Sequence, residues 1–548
     1  MPADLIVHGG PIHTMDPRHP TVDAIAVRDG VILAVGGGDV DRLRSPRTEV
    51  LDLAGGALLP GFQDAHIHPV AGGLQQLECD LSELHSLVGY RQAIRDYASR
   101  HPDAPWIRGG GWYGDVFPGG FPHRAELDAL VTDRPALLVS HDGHGAWANS
   151  AALQRAGIDR HYPDPDGGRI MRDADGEPNG MLLESATDLV TRLLPPRGHR
   201  DVERALVQAQ SYLHSLGITA WQDAAVGDAL GIPDTYDLYC ELAQQGRLTA
   251  RVTAALWWQR EAGLDQLPEL VRRRQAVPAG RFQATAVKIM QDGVCENLTA
   301  AVLHAYRQHP DNHGLSFIAP DQLNQIVSRL DAERFDVHLH AVGDRAVREC
   351  LDAIETSAHA SWAGRHQIAH IDLIDPSDIA RMKQLGVIAN IQPLWARRDP
   401  VLVETKLPYL NEAQQRQHFA FAALHDAGVP LAMGSDWPVS NPDPMWGIHG
   451  AVNRTAPPLD PHAQDDRSQN DPLLAGQALD LRTALWAYTL GAARANRLDA
   501  STGSIEVGKA ADLVALDQDP FAVRARELSA VKVRRTIVGG EVVFFAEG

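Results

Sequence analysis

The chain has 548 residues, 44% of them hydrophobic and 22% charged, which is enough for a large core and more than one domain. Its formal net charge of −20 argues against nucleic acid as a partner, and no run of Lys or Arg suits an acidic membrane surface. No apolar run is long enough to span a bilayer, and the opening MPADLIVHGG lacks the pattern of a signal peptide.

The first sixty residues are typical of short strands separated by glycine turns, as in DAIAVRDGVILAVGG. The other end of the chain has the same texture, as in VKVRRTIVGGEVVFF. We therefore predict that residues 1–60 and 490–548 form one composite β-sandwich domain.

Residues 61–489 alternate short apolar runs with segments of helical period. The run RFDVHLHAVGD, for example, is followed by the helical segment DRAVRECLDAIETSA. Counted from GALLPGFQDAHIHP, there are eight such units, which predict an α/β fold with a closed parallel (β/α)8 (TIM) barrel. A segment from about residue 72 to 194, rich in Gly, Pro, Trp and Asp, is too long for one helix. We expect this insertion after strand 1 to form a lid or substrate wall.

The four cysteines are scattered without CxxC spacing, and we expect them to be reduced and unpaired. They are Cys79, Cys240, Cys295 and Cys350. This fits a reducing compartment, so a cytoplasmic location is expected. We expect a small-molecule substrate and neither a nucleic-acid nor a membrane partner, and the sequence is compatible with a homodimer.

Polar side chains lie near the ends of five of the eight predicted strands, where the active sites of such barrels are found. They are His66 and His68 on strand 1, Lys288 on strand 4, His338 and His340 on strand 5, His366 and His370 on strand 6, and Asp436 on strand 8. A single histidine of this kind is more often a satisfied core or surface residue. Five strands that share the pattern favour a metal site instead.

The spacing of two places His66 and His68 on the same face of a strand, and neutral imidazole is a common zinc ligand. Within the later pairs, His340 is preferred to His338 because it directly precedes the turn AVGDRA. By the same reasoning His370 is preferred to His366. The remaining member of each pair is expected to lie deeper, as core packing or as support for the ligand.

Lys288 and Asp436 each have two interpretations. A lysine in the apolar strand AVKIM extends its ammonium to solvent or forms a buried ion pair, or it has a lowered pKa and reacts with carbon dioxide to form a carbamate that bridges two metals. Asp436 in MGSDWPVS is a helix cap or turn residue, or it holds a metal-bound water and accepts its proton.

These motifs together resemble the metal-dependent amidohydrolase superfamily. The resemblance lies in PGFQDAHIHP, VKIMQDG, HLHAVGDRA, QIAHIDLI, MGSDWPVSNPDP and GSIEVGKAADLVALD, which span essentially the whole chain in the family's order. The stretch DGHGAWANSAAL further resembles the branch that includes N-substituted formamide deformylases.

The resemblance implies one or two metal ions, most often zinc, in a (β/α)8 barrel with a β-sandwich. His66, His68, His340 and His370 match the family's ligands, and Lys288 matches a lysine that some members carry carboxylated. Asp436 matches both a ligand and the acid that shuttles the proton. The glutamate that ring deaminases carry near the strand 5 ligand is missing from AVGD, which argues against a deaminase.

We therefore expect hydrolysis of a C–N amide bond in a small non-peptide substrate, with an N-substituted formamide as the example. The alternatives are a carbamate, cyclic amide or ester at the same site, or a metal-binding scaffold without catalysis. The predicted substrate contacts are His144, Trp112, Tyr113, Trp395 and Trp437, although each aromatic residue can equally be explained by packing.

Overall fold

The structure, a computed structural model, describes residues 2–117, 120–141, 143, 145–165, 168–229, 231–357 and 362–546. The chain divides into two compact units. Unit 1 contains residues 1–68, 210–459 and 463–548, and unit 2 contains residues 69–209 and 460–462. The domain boundaries expected from the sequence stay a prediction, as does the role of the insertion as a lid.

Unit 1 contains a sheet of eight parallel strands in which each strand pairs with the next one along the chain. These barrel strands are β1 (Phe62–Ile67), β2 (Ile218–Val226), β3 (Arg251–Trp257), β4 (Phe282–Met290), β5 (Asp336–Ala341), β6 (Gln367–His370), β7 (Ile388–Ile391) and β8 (Leu431–Met433). β8 and β1 also approach one another, which nearly closes the sheet. The predicted α/β barrel is confirmed.

Every residue of β1, β5, β6, β7 and β8 is buried. This is the expected pattern for parallel strands that are covered on both faces, and it explains their apolar composition. The polar residues that interrupt these strands therefore need partners inside the protein, because water does not reach them.

Helices follow the barrel strands. Those of unit 1 include Tyr236–Gln244, Leu267–Ala276, Pro320–Ala332, Asp344–Ser357, Pro376–Leu385, Glu412–Arg416, Phe421–Asp426 and Pro444–Asn453, with Asp466–Asn470, Leu481–Trp486 and Ala492–Ala495 further on and Gly37–Val40 near the chain start. Helix His199–Ser215 leads into β2. The ends of Pro376–Leu385 show how sequence sets the bounds: the Asp375 side chain caps its start, and Gly386 ends it at φ 66°.

Two further sheets of unit 1 are built from the ends of the chain. One has four strands in the order Val31–Val35, Ile25–Arg28, Leu5–His8 and Glu49–Asp52. The other has six, in the order Glu541–Phe545, Val533–Val538, Leu513–Leu516, Ala57–Pro60, Ile12–His13 and Thr21–Val22. A shared hydrophobic core joins residues from both termini, including Val7, Leu58, Leu513 and Ile537.

Unit 2 contains a six-stranded mixed sheet. Its strands, in spatial order, are Gly168–Arg172, Pro178–Glu184, Gly145–Ala148, Ala136–Ser140, Ile107–Trp112 and Cys79–Asp80. Its helices include Pro69–Leu77, Leu87–Arg100, Arg124–Leu130, Ser150–Ala156 and Asp188–Thr191. Separate hydrophobic clusters form around Trp147 and around Leu153.

The four cysteines are all unpaired. Across the part of the chain that the structure describes, no helix combines the length and the apolar character needed to cross a membrane.

Candidate active site

The ends of β1 and β8 are joined by hydrogen bonds. The Asp436 N–H donates to the carbonyl of His66 at 2.8 Å, and the His68 N–H donates to the carbonyl of Trp437 at 2.9 Å. The buried carboxylate of Asp64 also accepts from the backbone N–H groups of His66 and Ser435, at 2.9 and 3.0 Å. The first and last strands of the barrel in chain order are therefore joined at the ends that carry the polar side chains.

Within the described residues, three buried side chains form the one group suited to hold a metal ion. Ligand atoms of His66, His370 and Asp436 all lie within 4.8 Å of one another. They come from β1, from β6 and from the residues just after β8. His66 is far from the other two in the sequence, and the barrel brings all three together at the carboxyl ends of its strands.

Two more predicted residues lie directly against this group. His68 Nε2 is 3.0 Å from an oxygen of Asp436, and His66 Nε2 is 3.3 Å from the same oxygen. The amine of Lys288, which is 2% exposed, donates to His66 Nε2 at 3.2 Å. Five of the six predicted metal-binding side chains therefore surround one small volume.

The backbone of the group is strained. His370 has a φ of 78° and Asp436 a φ of 57°, in the left-handed region that side chains other than glycine rarely adopt. Such conformations cost on the order of 1–3 kcal/mol each and persist where the surrounding structure holds them, most often at functional sites.

Burial and charge give the group a defined protonation state. Burial lowers the pKa of both His66 and His370 well below 6.5, with a further contribution from the ammonium of Lys288, so both imidazoles are neutral at pH 7. Burial alone would raise the pKa of Asp436, but the hydrogen bond from His68 and the positive charge of Lys288 help to outweigh it, and the pKa lies below 3.8. Burial lowers the pKa of Lys288 to about 7.

These donors fit a divalent ion such as Zn²⁺, whose ligands are neutral imidazole and carboxylate. Atoms bound to one zinc at about 2.0–2.2 Å lie on the order of 3.3–3.5 Å apart in a tetrahedral site. The separations of 3.0 and 3.3 Å from His68 and His66 to Asp436 are near that value. A buried nitrogen that faces a carboxylate at this distance needs a proton or a cation between them.

The remaining strand histidines lie in three different environments. His340 is buried beside the ring of His370, with 4.4 Å between ring centroids, but its Nε2 faces the carbonyl of Gly293 at 3.3 Å. His338 lies deeper, and its Nε2 is 2.8 Å from His66 Nδ1. His366 pairs with Asp331 at 3.1 Å instead of with the group. The choice of His340 as a ligand stays a prediction.

The predicted aromatic contacts divide between the units. In unit 1, Trp395 stacks on His370 with 5.4 Å between ring centroids and 7° between planes, and Trp437 packs on Tyr212. In unit 2, the indole of Trp112 is a core residue that donates to the carbonyl of Leu138.

Tyr113, also in unit 2, stacks between the rings of His141 and His462. His144 lies outside the described residues. The roles of all these residues in substrate binding stay predictions.

The sequence interpretation missed Asp64 and a set of buried amides in the barrel. The amides are Gln222 on β2, Gln367 on β6, Asn390 on β7 and Gln392 just after β7. A signal was present: each is an amide within or beside an apolar strand, and Asn390 and Gln392 have the spacing of two that singled out His66 and His68.

Comparison with known proteins gives a consistent result. A model described as the amidohydrolase family matches residues 49–544. The chain is 32% identical to YtcJ of Bacillus subtilis (strain 168), over 98% of this chain and 99% of that protein. It is 27% identical to the N-substituted formamide deformylase of Arthrobacter pascens, over 98% and 97% of the two chains.

Among solved structures, the fold is similar to that of an uncharacterised metal-dependent hydrolase of Pyrococcus horikoshii OT3. The TM-score is 0.74 and the identity 25%, and the match covers 95% of this chain and 99% of the other.

Proposed function

This chain belongs to the amidohydrolase family, and from that premise we propose that it is a metal-dependent hydrolase of a C–N amide bond in a small, non-peptide substrate. The observation that carries the proposal is the buried group formed by His66, His370 and Asp436 at the carboxyl ends of the barrel strands. The Arthrobacter pascens relative supports an N-substituted formamide as the substrate.

We assign the metal to His66, His68, His370 and Asp436, with His340 and Lys288 as further ligands, and propose zinc as its identity. A divalent ion held by these residues would lower the pKa of a coordinated water toward neutrality and so would supply a nucleophile. With Lys288 as an uncharged amine, the neutral imidazoles and the single carboxylate would leave a one-ion site with a net positive charge, which would favour attack on a polarised carbonyl.

Asp436 performs the proton transfer. Its carboxylate is ionised at neutral pH because the hydrogen bond from His68 and the positive charge of Lys288 help to hold its pKa below 3.8 against the effect of burial. It accepts one proton from the attacking water and returns it to the leaving amine as the C–N bond breaks. For a formamide, water and substrate give formate and the protonated amine.

Lys288 determines whether a second ion binds. Its amine is buried and its pKa is lowered to about 7, so an uncharged fraction is present at neutral pH. The neutral amine adds carbon dioxide with loss of one proton, and the resulting carbamate supplies two oxygen ligands in place of a nitrogen donor. We propose this carboxylated form.

Trp395 supplies an apolar wall next to the group. Its ring is half-buried and parallel to the ring of His370. An aromatic face there favours a substrate with a planar or apolar N-substituent.

The test is a substrate panel on the full-length protein, with elemental analysis of bound metal. N-benzylformamide, a second N-substituted formamide, a carbamate, a cyclic amide and an ester are incubated separately, and release of formate or amine is measured. We expect formate release to require metal and to be greatest for the N-substituted formamides.

The matched control uses two equally buried histidines, each 1% exposed. His66→Gln is expected to lose both metal and activity, whereas His449→Gln is expected to keep both. Hydrolysis of only the carbamate or only the ester would mean that this compound class, and not the formamide, is the substrate. Full metal occupancy without hydrolysis of any substrate would contradict the enzyme and favour a scaffold.

A further inference from the structure

A continuous chain of buried side chains connects His370 to His66 through the interior of the barrel. It consists of four amides, here called the amide chain (Gln222, Gln367, Asn390 and Gln392), and of His338. None of the five side chains is more than 1% exposed. Because these side chains are buried and hydrogen-bond to one another, the direction of each hydrogen bond depends on its neighbours.

One backbone atom fixes the direction of the whole chain. The side-chain nitrogen of Asn390 lies 2.8 Å from the carbonyl oxygen of Ala65, and a carbonyl only accepts. The amide of Asn390 therefore has its nitrogen on this side and its oxygen on the other. A backbone carbonyl is always an acceptor, whereas the oxygen and nitrogen of a side-chain amide exchange places when the amide turns over.

On one side, the orientation of the Asn390 amide determines which nitrogen of His370 carries the proton. The oxygen of Asn390 accepts from the Gln392 side-chain nitrogen at 3.2 Å, which leaves the Gln392 oxygen facing His370 Nδ1 at 2.9 Å. That nitrogen must then carry the proton and donate. A neutral His370 consequently has an unprotonated Nε2.

The other direction leads to His66. The second N–H of Asn390 donates to the Gln367 oxygen at 2.8 Å, and the Gln367 nitrogen donates to the Gln222 oxygen at 2.9 Å. The same Gln222 oxygen faces His338 Nδ1, which must therefore donate to it.

The Nδ1 of His338 already carries a proton, and a second proton would leave an unpaired charge on a side chain that is fully buried, so its Nε2 accepts. The nitrogen that it accepts from, at 2.8 Å, is His66 Nδ1. His66 is thereby left with an unprotonated Nε2, and this is the atom that faces Asp436.

We propose that Asn390, fixed by the carbonyl of Ala65, is a positioning residue that sets the tautomers of His66 and His370 together through the amide chain. Both histidines then present Nε2 lone pairs to the metal. The inference rests on the proposed function only in requiring that the group binds a metal. Outer partners that fix a ligand's tautomer typically change metal affinity by about 10–100-fold when removed.

The direct test is the tautomer itself. Full-length protein is labelled with ¹⁵N-histidine, the signals of His66 and His370 are identified in the metal-free protein as those lost in His66→Gln and His370→Gln, and they are then followed as the wild-type protein is loaded with Zn²⁺. We expect both to show a proton on Nδ1. A proton on Nε2 of either residue in the wild-type protein overturns the proposal.

A matched pair of variants separates tautomer control from stability. Gln367 and Gln63 are both fully buried glutamines on barrel strands, and each makes two side-chain hydrogen bonds. Gln367 contacts neither His66 nor His370. Chelator competition is expected to show about 10-fold weaker Zn²⁺ binding for Gln367→Met and less than about 3-fold for Gln63→Met.

Asn390→Leu is expected to weaken Zn²⁺ binding further, to about 100-fold, because it releases both arms. Gln367→Met leaves the Asn390–Gln392–His370 arm intact, so only the His66 signal is expected to change. Equal losses of affinity in Gln367→Met and Gln63→Met would overturn the proposal, and this comparison remains even where Asn390→Leu fails to fold.

The outcomes also distinguish this proposal from the proposed function. Metal binding that depends on Gln367, in a protein that hydrolyses no amide, supports the amide chain and contradicts the enzyme. Amide hydrolysis with Zn²⁺ affinity unchanged by Gln367→Met and Asn390→Leu supports the enzyme and contradicts the role of the amide chain.

Discussion

Two buried polar clusters lie inside the barrel, one at each end of its strands. The Gln63 cluster at the amino ends consists of four buried residues and the half-buried Gln283, which hydrogen-bond to one another; the buried members are Gln63, Thr253, Asn496 and Thr502. Gln63 donates to Thr502 at 2.8 Å, Gln283 donates to Thr253 at 2.9 Å, and both Thr253 and Gln283 donate to the carbonyl of Asn496. None of its members is ionisable, so it contributes to stability without changing charge.

The group at the carboxyl ends differs in each respect. His66 and His370 are neutral imidazoles beside an ionised carboxylate, and the backbone at His370 and Asp436 is strained. The hydrogen bonds of the amide chain end on the Nδ1 atoms of the two histidines and leave their Nε2 atoms without a proton. Polar side chains therefore serve two purposes in one barrel. Uncharged groups that hydrogen-bond to one another stabilise it, and imidazole nitrogens with unused lone pairs prepare a binding site.

The largest effect expected from this difference is on catalysis. Asp436→Asn should lower kcat/KM by about 10²–10⁴-fold, because the amide cannot accept the proton of the attacking water. The metal content should stay unchanged, since an oxygen ligand remains. Steady-state kinetics and elemental analysis measure the two quantities, and Gln63→Met serves as the control. Normal turnover in Asp436→Asn would remove the role given to this residue.

The next effect separates two buried lysines. Lys406 pairs with Asp372 at 2.6 Å and Glu296 at 2.8 Å, and these carboxylates raise its pKa although burial opposes them. Lys406→Met should lower the free energy of unfolding by about 3–5 kcal/mol, because the buried carboxylate of Asp372 and the half-buried carboxylate of Glu296 lose their cation. Lys288→Met should cost less than about 1 kcal/mol and reduce the number of bound ions instead.

Urea denaturation and metal analysis of both variants provide the measurement. A large loss of stability in Lys288→Met, with the number of ions unchanged, would make Lys288 a structural residue and contradict the proposed carbamate.

The pH dependence of stability gives the third test, at the amino ends. Burial lowers the pKa of His214 to about 4, from an ordinary value of 6.5. Between these values the unfolded chain binds a proton that the native protein does not, so stability falls as the pH decreases from 6.5 to about 4. The slope is about 1.4 kcal/mol per pH unit, or on the order of 3 kcal/mol in total.

Urea denaturation at several pH values in this range should show that the free energy of unfolding depends less steeply on pH for His214→Gln than for the wild-type protein. The same slope in wild type and variant would mean that His214 is protonated in the native protein.

The smallest effect concerns the Gln63 cluster itself. Gln63→Met removes two buried hydrogen bonds and should lower the free energy of unfolding by about 1–2 kcal/mol. The value of kcat/KM should stay within about 2-fold of wild type, which thermal denaturation combined with kinetics would test. A large catalytic loss would mean that the two polar clusters are coupled.

Much of the fold and part of the site could be predicted from the sequence. Eight apolar runs followed by helical segments predicted the barrel, which the structure confirms, and the family resemblance is confirmed by the comparisons. His66, His370 and Asp436 stood out as polar residues at the ends of apolar strands, and the structure brings them within 4.8 Å. His144, which was predicted as a substrate contact, lies outside the described residues.

Other features depended on contacts between distant parts of the chain. Trp112 has the sequence context of an exposed loop residue, but the structure places it in the core of unit 2. Asp64 gave no signal of its own, because its role depends on the N–H of Ser435 from the opposite end of the barrel sheet. A strand's own period does not show which strand will lie beside it.

The sequence by itself therefore determined which residue types stand at each strand end, because side-chain direction alternates along a strand and polar residues interrupt a buried pattern visibly. Only the tertiary structure decided which nitrogen of each histidine is free. That choice follows from the amide chain and from one carbonyl, Ala65, and these partners become neighbours only when the barrel closes. Hydrogen-bond direction is a property of the assembled network, and no single segment of the chain contains it.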